Sequence, residues 1–301
     1  MEFRVLRYFL TVAREGSITA AANSLHLTQP TLSRQLQDLE KELGQKLLVR
    51  GKYKVSLTPE GMMLRKRAEE IVDMVEKTEA DFRAIKDIVG GDIYIGCGET
   101  DSMRHIAHVM KELQNQYPEI KFHIYSGNAE DVTEKLDRGL LDFGILIQPI
   151  DLSKYDNITL PDKDVWGVIA RKDSPIAKKQ AVTLRDLTGV PLLASRQMSR
   201  KYSADSGFLD WFGEEFEKLN ITATYNLVYN AAIMVDAGMG YAVTLDKLVN
   251  TTGNSNLCFK PLSPKLESGL DIVWKKYQVF SPAAKLFLDR LKEKFDDNKN
   301  N

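Results

Sequence analysis

Only two cysteines, Cys97 and Cys258, occur in the 301 residues. Each falls in an apolar strand pattern without a reactive context, so the sequence predicts two buried structural thiols rather than a redox switch. Cysteine used so sparingly fits a cytoplasmic protein. No apolar run reaches the ~18 residues of a membrane span, which excludes a transmembrane helix of ordinary composition. The opening Met1-Glu2-Phe3-Arg4 enters an amphipathic helix at once, leaving no room for a secretion signal. There is no Walker loop and no Gly-x-Ser-x-Gly elbow. Gly96-Cys97-Gly98 follows a strand pattern, but Glu99-Thr100-Asp101 comes next, so the third glycine of a dinucleotide fingerprint is missing. Gly238-Met239-Gly240 reads as a helix-to-strand turn. Histidine is scarce, at four residues: His26, His105, His108 and His123. His105, His108 and Glu112 share a helix face with Asp101 one turn earlier, so a metal site is conceivable. A solvated helix face is the commoner meaning of such a set. Neither a metal, a cofactor nor a catalytic function is expected. A charge excess of one sign is absent too, the 41 basic and 42 acidic residues leaving a net −1.

Charge is nevertheless segregated. Residues 1–60 hold nine basic and six acidic side chains, a local excess of +3, which is a footprint suited to phosphate. Within this segment Ser17 is placed to cap a short helix containing Ala20, Ala21 and Ala22, residues small enough for another helix to cross closely. Thr28 caps a second helix, Pro30 lies in its first turn where a missing N–H costs little, and Gly44 supplies the left-handed residue that ends it. Leu32, Leu36, Leu39 and Leu43 recur at helical spacing as one apolar stripe. At about 100° per residue, Pro30, Arg34, Gln37 and Lys41 fall opposite that stripe. Long donors on this face can reach base edges and phosphates. An ordinary helical hairpin with a solvated face has the same spacing. A preceding helix with Phe3, Leu6, Phe9, Leu10 and Ala13 on one side, and a basic hairpin-like stretch from Lys46 to Leu57, favour the DNA reading. A ligand-binding module acting only through protein contact is a further alternative, against which the basic hairpin and the donor face argue.

The strings Phe9-Leu10-Thr11-Val12-Ala13, Gly16-Ser17, Ala20-Ala21-Ala22, Gln29-Pro30-Thr31-Leu32-Ser33-Arg34-Gln35-Leu36, Leu39-Glu40, Leu43-Gly44, Leu47-Leu48-Val49-Arg50 and Leu57-Thr58-Pro59-Glu60-Gly61 resemble, in order and spacing, the LysR-type transcriptional regulators. Leu48 stands where that family usually has Phe, a change expected to affect packing only. The resemblance is specific over the first sixty or so residues and weaker beyond. It implies a winged helix-turn-helix, a dimerising linker helix and a C-terminal two-lobed effector domain like a periplasmic binding protein. Such a protein is a sequence-specific DNA-binding regulator switched by a small effector, a homodimer or homotetramer with RNA polymerase as a further partner. On this reading Gln29, Pro30, Thr31, Ser33, Arg34 and Gln37 contact DNA from the second helix, and Arg50 and Lys52 contact it from the wing.

A chain of this length suggests about two domains at ~150 residues each, and three segments are expected. Residues 1–58 form the DNA-binding domain and 59–89 a linker helix. Residues 92–301 form the effector domain, with one lobe of 92–161 and 262–301 and another of 162–261. Thr58-Pro59 is a second helix start. Leu64, Ile71, Thr78 and Ile85 alternate with Ala68, Val75 and Phe82 at the four-three spacing of a coiled-coil seam, so Leu64, Ala68, Ile71, Val75 and Phe82 are expected to carry dimerisation. A helix packed on its own domain is the alternative. Gly90-Gly91 reads as a hinge.

Beyond it, strands alternate with helices, which predicts parallel, doubly wound sheets. Strands are expected at 93–98, 121–125, 141–147, 165–170, 192–194, 223–227, 241–243, 257–259 and 270–274. Helices are expected over the segment with Ile106, Val109, Met110, Leu113 and Tyr117 facing inward and stopping at Pro118, over 132–140, and after Ser281-Pro282. Crossovers between lobes are placed near Pro161 and Pro261. Such domains bind ligands past the carboxyl ends of their strands. The candidate effector contacts are therefore Thr100, Asp101, Ser102, Ser126, Asn128 and Gln148 in one lobe and Ser195, Arg196, Gln197 and Asn230 in the other. Glu99 and Asp101 weigh against a simple anion and leave open an effector carrying an amine or an internal pairing with Arg196.

Overall fold

A computed structural model describes residues 1–51, 54–84, 90–196 and 211–295. The chain divides into two compact units, Met1–Phe82 and Arg83–Asn301.

The first unit opens with three helices, α1 (Phe3–Glu15), α2 (Ile18–Ser24) and α3 (Gln29–Leu43). The expected caps are in place. The Ser17 hydroxyl accepts from the Ala20 N–H, the Thr28 hydroxyl accepts from the Thr31 N–H, and Gly44 adopts φ 66° at the end of α3. Val5, Phe9 and Val12 of α1, Ala21 and Ala22 of α2, and Leu32, Leu36 and Leu39 of α3 close one core. Two expectations about this core are corrected. In α1, Val5 and Val12 occupy the inner face with Leu6 and Phe9, while Phe3, Leu10 and Ala13 flank it, half-buried. In α3 the buried stripe ends at Leu39 and Leu43 is exposed, because Leu47 and Leu48 fold back from the following hairpin to fill that layer. The hairpin pairs β1 (Leu48–Arg50) with β2 (Val55–Leu57) antiparallel. Leu48, in place of the usual Phe, is buried there.

The last element of this unit is α4 (Pro59–Ala84). Thr58 caps it by accepting from the Gly61 N–H at 2.9 Å and donating to the Lys46 carbonyl at 2.7 Å. Gly61 is obligatory, since a Cβ there would lie 2.1 Å from the Leu47 carbonyl oxygen. The heptad stripe is divided. Leu64 packs on the unit's own core and Ala68 is fully buried within the chain. The first turns thus place these two stripe residues against the chain itself, while among the described stripe residues Ile71, Thr78 and Phe82 are exposed and Val75 is half-buried. Ile85 lies outside the described residues.

The second unit contains two sheets. The first has the order β4-β3-β5-β13-β6, built from β3 (Gly90–Cys97), β4 (Glu119–Ser126), β5 (Phe143–Ile147), β6 (Tyr155–Thr159) and β13 (Leu270–Lys275). Helices α5 (Met103–Gln116) and α9 (Pro282–Phe295) pack on one face through Ile106, Val109, Leu113, Phe287 and Leu291. Helix α6 (Ala129–Asp137) covers the other through Val132 and Leu136. The second sheet has the order β11-β7-β10-β8-β9, from β7 (Asp164–Arg171), β8 (Pro191–Ser195), β9 (Asn220–Tyr225), β10 (Tyr241–Leu245) and β11 (Leu257–Pro261), with β12 (Glu267–Ser268) also on β7. Alternate residues serve its two faces. Val168, Ala170, Leu192 and Ala194 join one cluster, while Ile169 and Leu193 pack against α8 (Val228–Asp236). Helix α7 (Leu184–Leu187) is a single turn.

Several expectations about this unit are also corrected. The sheets are mixed rather than wholly parallel. β13 runs antiparallel to β5 and β6, and β7 runs antiparallel to β10 and β11, because these strands carry the chain from one sheet to the other and back. Strand β6 is not among the expected strands, since its Asp156 and Asn157 are poor strand formers. Tyr155 and Ile158 are nonetheless buried. Gly90 and Gly91 are strand residues paired with Glu119 and Ile120 rather than a free hinge. Helix α6 starts at Ala129, through a capping box between Asn128 and Asp131, and ends at Asp137. Strand β9 spans 220–225, and Leu227 is the N-cap position of α8. Cys97 is buried as expected, whereas Cys258 is half-buried. Burial pushes both thiols up, away from the reactive thiolate.

Candidate functional sites

The polar face of α3 is presented as its sequence spacing requires. Gln29, Pro30, Thr31, Arg34 and Gln37 are exposed and Ser33 is half-buried. The Arg34 side chain keeps 84% of its accessible surface, and its nearest carboxylate, Asp38, is 4.0 Å away. Thr31 shares a 2.8 Å hydroxyl contact with Thr28 and is partly spent on the cap. In the wing, the Arg50 backbone belongs to β1, paired with Val55; Lys52 lies outside the described residues.

One residue of this site escapes the sequence reading. Glu40, on the inner side of α3, is buried. Its carboxylate accepts from the Leu47 N–H at 2.9 Å, the Leu48 N–H at 3.2 Å and Lys46 Nζ at 3.3 Å. It thereby ties the start of the wing to the helix beside it. Burial raises the Glu40 pKa, but the two backbone donors and Lys46 more than offset this, and the carboxyl titrates below its usual value. The stability it contributes is therefore present above the unfolded pKa and lost as pH falls through the lower folded value. Glu40→Gln is expected to lower the stability of the first unit by about 1–3 kcal/mol at neutral pH. The deficit should shrink as the wild type is acidified, which thermal melts of both proteins across pH will read.

In the second unit the strand ends converge on a cleft between the two sheets, partly open to solvent. Gly98, Glu99, Gly127, Asn128 and Ile147 line it from the first lobe, and Trp166, Ser195, Arg196, Tyr225, Asn226 and Val228 are among its lining in the second. Of the expected effector contacts, Asn128, Ser195 and Arg196 are at the cleft. The Asn128 side chain also caps α6, accepting from the Asp131 N–H at 2.9 Å. Others are spent elsewhere. Thr100 and Ser102 are buried and donate to the Asp164 carboxylate at the start of β7, Ser102 at 3.0 Å. Asp101 pairs with Arg104 and, at 3.5 Å, with Lys247 of the second lobe. Gln148 donates to Asp271 at 2.8 Å. Asp271, 1% exposed, also accepts from Asn157 and Thr159, so Gln148 serves a buried polar hub. Ser126 and Asn230 are exposed outside the lining, and Asn226 takes the position expected of Asn230. Gln197 lies outside the described residues.

Glu99 does not pair with Arg196. Its carboxylate accepts instead from the Val228 N–H, at the start of α8 in the opposite lobe. The Tyr225 hydroxyl donates to the Val243 carbonyl at 2.6 Å. Burial first, and the nearby Glu99 charge in addition, push that phenol up. The histidine set is dispersed. His105 meets Asp162 at 2.6 Å and His108 meets the Arg104 carbonyl at 2.6 Å. Among the described residues no group of three or more His, Cys, Asp or Glu is placed to hold a metal ion. Nor is any helix among them long and apolar enough to cross a membrane.

A three-helix unit with a basic hairpin and a two-sheet unit with an interior cleft form the pair of elements that the motifs imply. Residues 3–62 match the family described as "Bacterial regulatory helix-turn-helix protein, lysR family". Residues 87–296 match the "LysR substrate binding domain".

The chain belongs to the LysR family.

It is 31% identical to the "Hca operon transcriptional activator HcaR" of Escherichia coli K12 over 300 residues, covering 98% of each chain. It is 27% identical to the HTH-type transcriptional regulator YvbU of Bacillus subtilis 168, over 98% of this chain and 99% of that one. Its fold matches that of full-length CbnR, solved in complex with its target DNA, at a TM-score of 0.73 and 21% identity, over 97% of this chain and 99% of that one. This LysR-family chain is thus a DNA-binding transcriptional regulator with an effector-binding domain of two α/β lobes. Regulators of this family bind operator DNA and small effectors and form oligomers.

Proposed function

We propose that this regulator reads its operator with α3 and responds to a small molecule held in the cleft between its lobes. The observation that carries the DNA half is the exposed donor row of Gln29, Arg34 and Gln37 opposite the buried Leu32 and Leu36. Pro30, Thr31 and Ser33 set the close approach of the helix N-terminus, and Arg50 and Lys52 of the wing contact phosphate. Phosphate contacts fix register, and base contacts supply sequence. In this reading the domains are 1–58, 59–89 and 92–301. The regulator acts as a homodimer joined along α4 through Ile71, Val75 and Phe82, with Leu64 and Ala68 as the internal support of that helix, or as a homotetramer of such dimers. It works in the cytoplasm on double-stranded DNA and RNA polymerase, without a catalytic step of its own.

The switch is a population shift. A ligand favours whichever lobe arrangement it binds more tightly, and the arrangement of subunits on DNA follows. Asn128, Ser195, Arg196, Tyr225 and Asn226 are the contacts that support this reading best. Thr100, Asp101 and Ser102 act through the lobe-to-lobe contacts they make. Asn226 is exposed and lines the cleft, so Asn226→Trp fills the cavity without disturbing a buried contact. A reporter driven by the operator, screened over a metabolite library, is expected to lose induction in this variant while operator affinity stays within about twofold, well under the 1.4 kcal/mol of a tenfold change. Full induction in the variant would place the effector elsewhere.

A further inference from the structure

The β3–α5 loop, residues 98–102, spends nearly every polar side chain on the opposite lobe. Thr100 and Ser102 hold Asp164, Asp101 reaches Lys247, and Glu99 reaches the N-terminus of α8. Glu99 differs from the other three in lining the cleft itself. At its far end, α8 has Leu227 at the N-cap position and no side-chain cap of its own. The free Val228 N–H would be an orphan of the first turn. Glu99 satisfies it from across the cleft. A carboxylate at a helix N-terminus is favoured by both the open N–H groups and the helix dipole, so this end of the cleft already holds a carboxylate supplied by the chain.

The Glu99 carboxylate itself is poorly served. It is half-buried, a single backbone N–H is its hydrogen-bond donor, and no cation among the described residues lies within ion-pair distance of it. An ionised carboxylate offers about four lone-pair sites, and a partly buried anion with so few partners is a costly arrangement. Arg196, Trp166 and Tyr225 line the same cleft from the second lobe, and aromatic rings tolerate a neighbouring ammonium.

We propose that the effector is a zwitterion of the α-amino acid class, whose carboxylate replaces that of Glu99 at the start of α8 and whose ammonium pairs with the displaced Glu99. This rests on the cleft being the effector site. The exchange leaves α8 capped, because one carboxylate takes the place of another. It adds no net charge to the cleft, and it gives Glu99 the cation it lacks. A simple carboxylate would bring a second negative charge beside Glu99. A simple amine would draw Glu99 away and leave the α8 N-terminus uncapped. Only a ligand with both groups meets both needs. The same exchange removes one lobe-to-lobe contact and substitutes a ligand-mediated one, which is a means for the ligand to alter the balance between lobe arrangements.

The test is calorimetric titration of the full-length protein with each standard amino acid at neutral pH. Every amino acid that binds is then compared with the carboxylic acid lacking its amino group and with the amine lacking its carboxylate. The expected result is saturable binding of at least one amino acid, with both analogues weaker by about tenfold or more, the equivalent of one charge-assisted hydrogen bond. Glu99→Gln, with its fold checked by near-ultraviolet circular dichroism, should weaken the amino acid by a similar factor. Three results would overturn the assignment: no amino acid binding, a deaminated acid binding as tightly as its parent, or unchanged affinity in a folded Glu99→Gln protein. A bare carboxylate that binds and alters operator affinity would overturn the zwitterion and leave the cleft as the effector site. An amino acid that binds with the expected selectivity yet leaves operator affinity untouched would support the ligand class and contradict the switch.

Discussion

Ile71→Asp is expected to reduce the mass of the assembly in light scattering to smaller species and to lower operator affinity on the order of 10²–10⁴-fold, the range lost when two linked binding modules become independent. Ile71 is 38% exposed within the single chain, so an aspartate there meets water in an isolated protomer. In a two-fold seam it meets its own counterpart, and two buried like charges without partners are costly. Val75→Asp should act in the same direction. Circular dichroism of the Ile71→Asp protein should remain that of the wild type, because neither unit uses this side chain in its core. Unchanged mass with full DNA affinity would assign α4 to packing within one chain and place the subunit contact elsewhere. Leu64 is a weaker probe, since it packs on the core of the first unit and its loss would destabilise the reader directly.

Arg34→Ala is the second large effect. Removing a donor that meets a base edge or an adjacent phosphate costs about 1–3 kcal/mol of operator binding. The melting temperature should barely move, because Arg34 projects into solvent from the face opposite Leu32 and Leu36. Arg50→Ala should behave differently, weakening specific and random DNA alike and flattening the salt dependence, as expected for a phosphate contact. Fluorescence anisotropy with operator and scrambled duplexes at several salt concentrations separates these patterns. Wild-type operator affinity in a folded Arg34→Ala protein would rule out α3 as the reading element.

What could be read from the sequence was local or periodic. Ser17, Thr28, Gly44 and Thr58 announce helix ends through backbone chemistry within a few residues, and each occupies the expected place. The stripe through Leu32, Leu36 and Leu39 follows from helical spacing. Most strands of the second unit show as apolar runs, because both faces of each sheet are covered. What could not be read depends on contacts distant in the chain. Glu40 looks like one more charge on a polar helix until the wing folds back to place Leu47 and Leu48 over it. Thr100 and Ser102 look like free hydroxyls at a strand end, but their partner Asp164 lies some sixty residues away on another strand. Gln148 is drawn from the cleft by Asp271, which no pattern near Gln148 foretells. The acidic residues of the 98–102 loop were legible as unusual; that Glu99 caps a helix in the other lobe was not.

The most direct measurement is selection of binding sites from a random DNA pool by the full-length wild-type protein, run in parallel with Arg34→Ala. The expected result is enrichment of paired half-sites separated by one helical turn or a multiple of it, near 10–10.5 base pairs centre to centre, as two reading helices about 34 Å apart require. The base preferences within each half-site should be lost or relaxed at one position in the Arg34→Ala selection. Identical enrichment by the two proteins, or enrichment of single unpaired sites by the wild type, would contradict a dimer that reads DNA through α3.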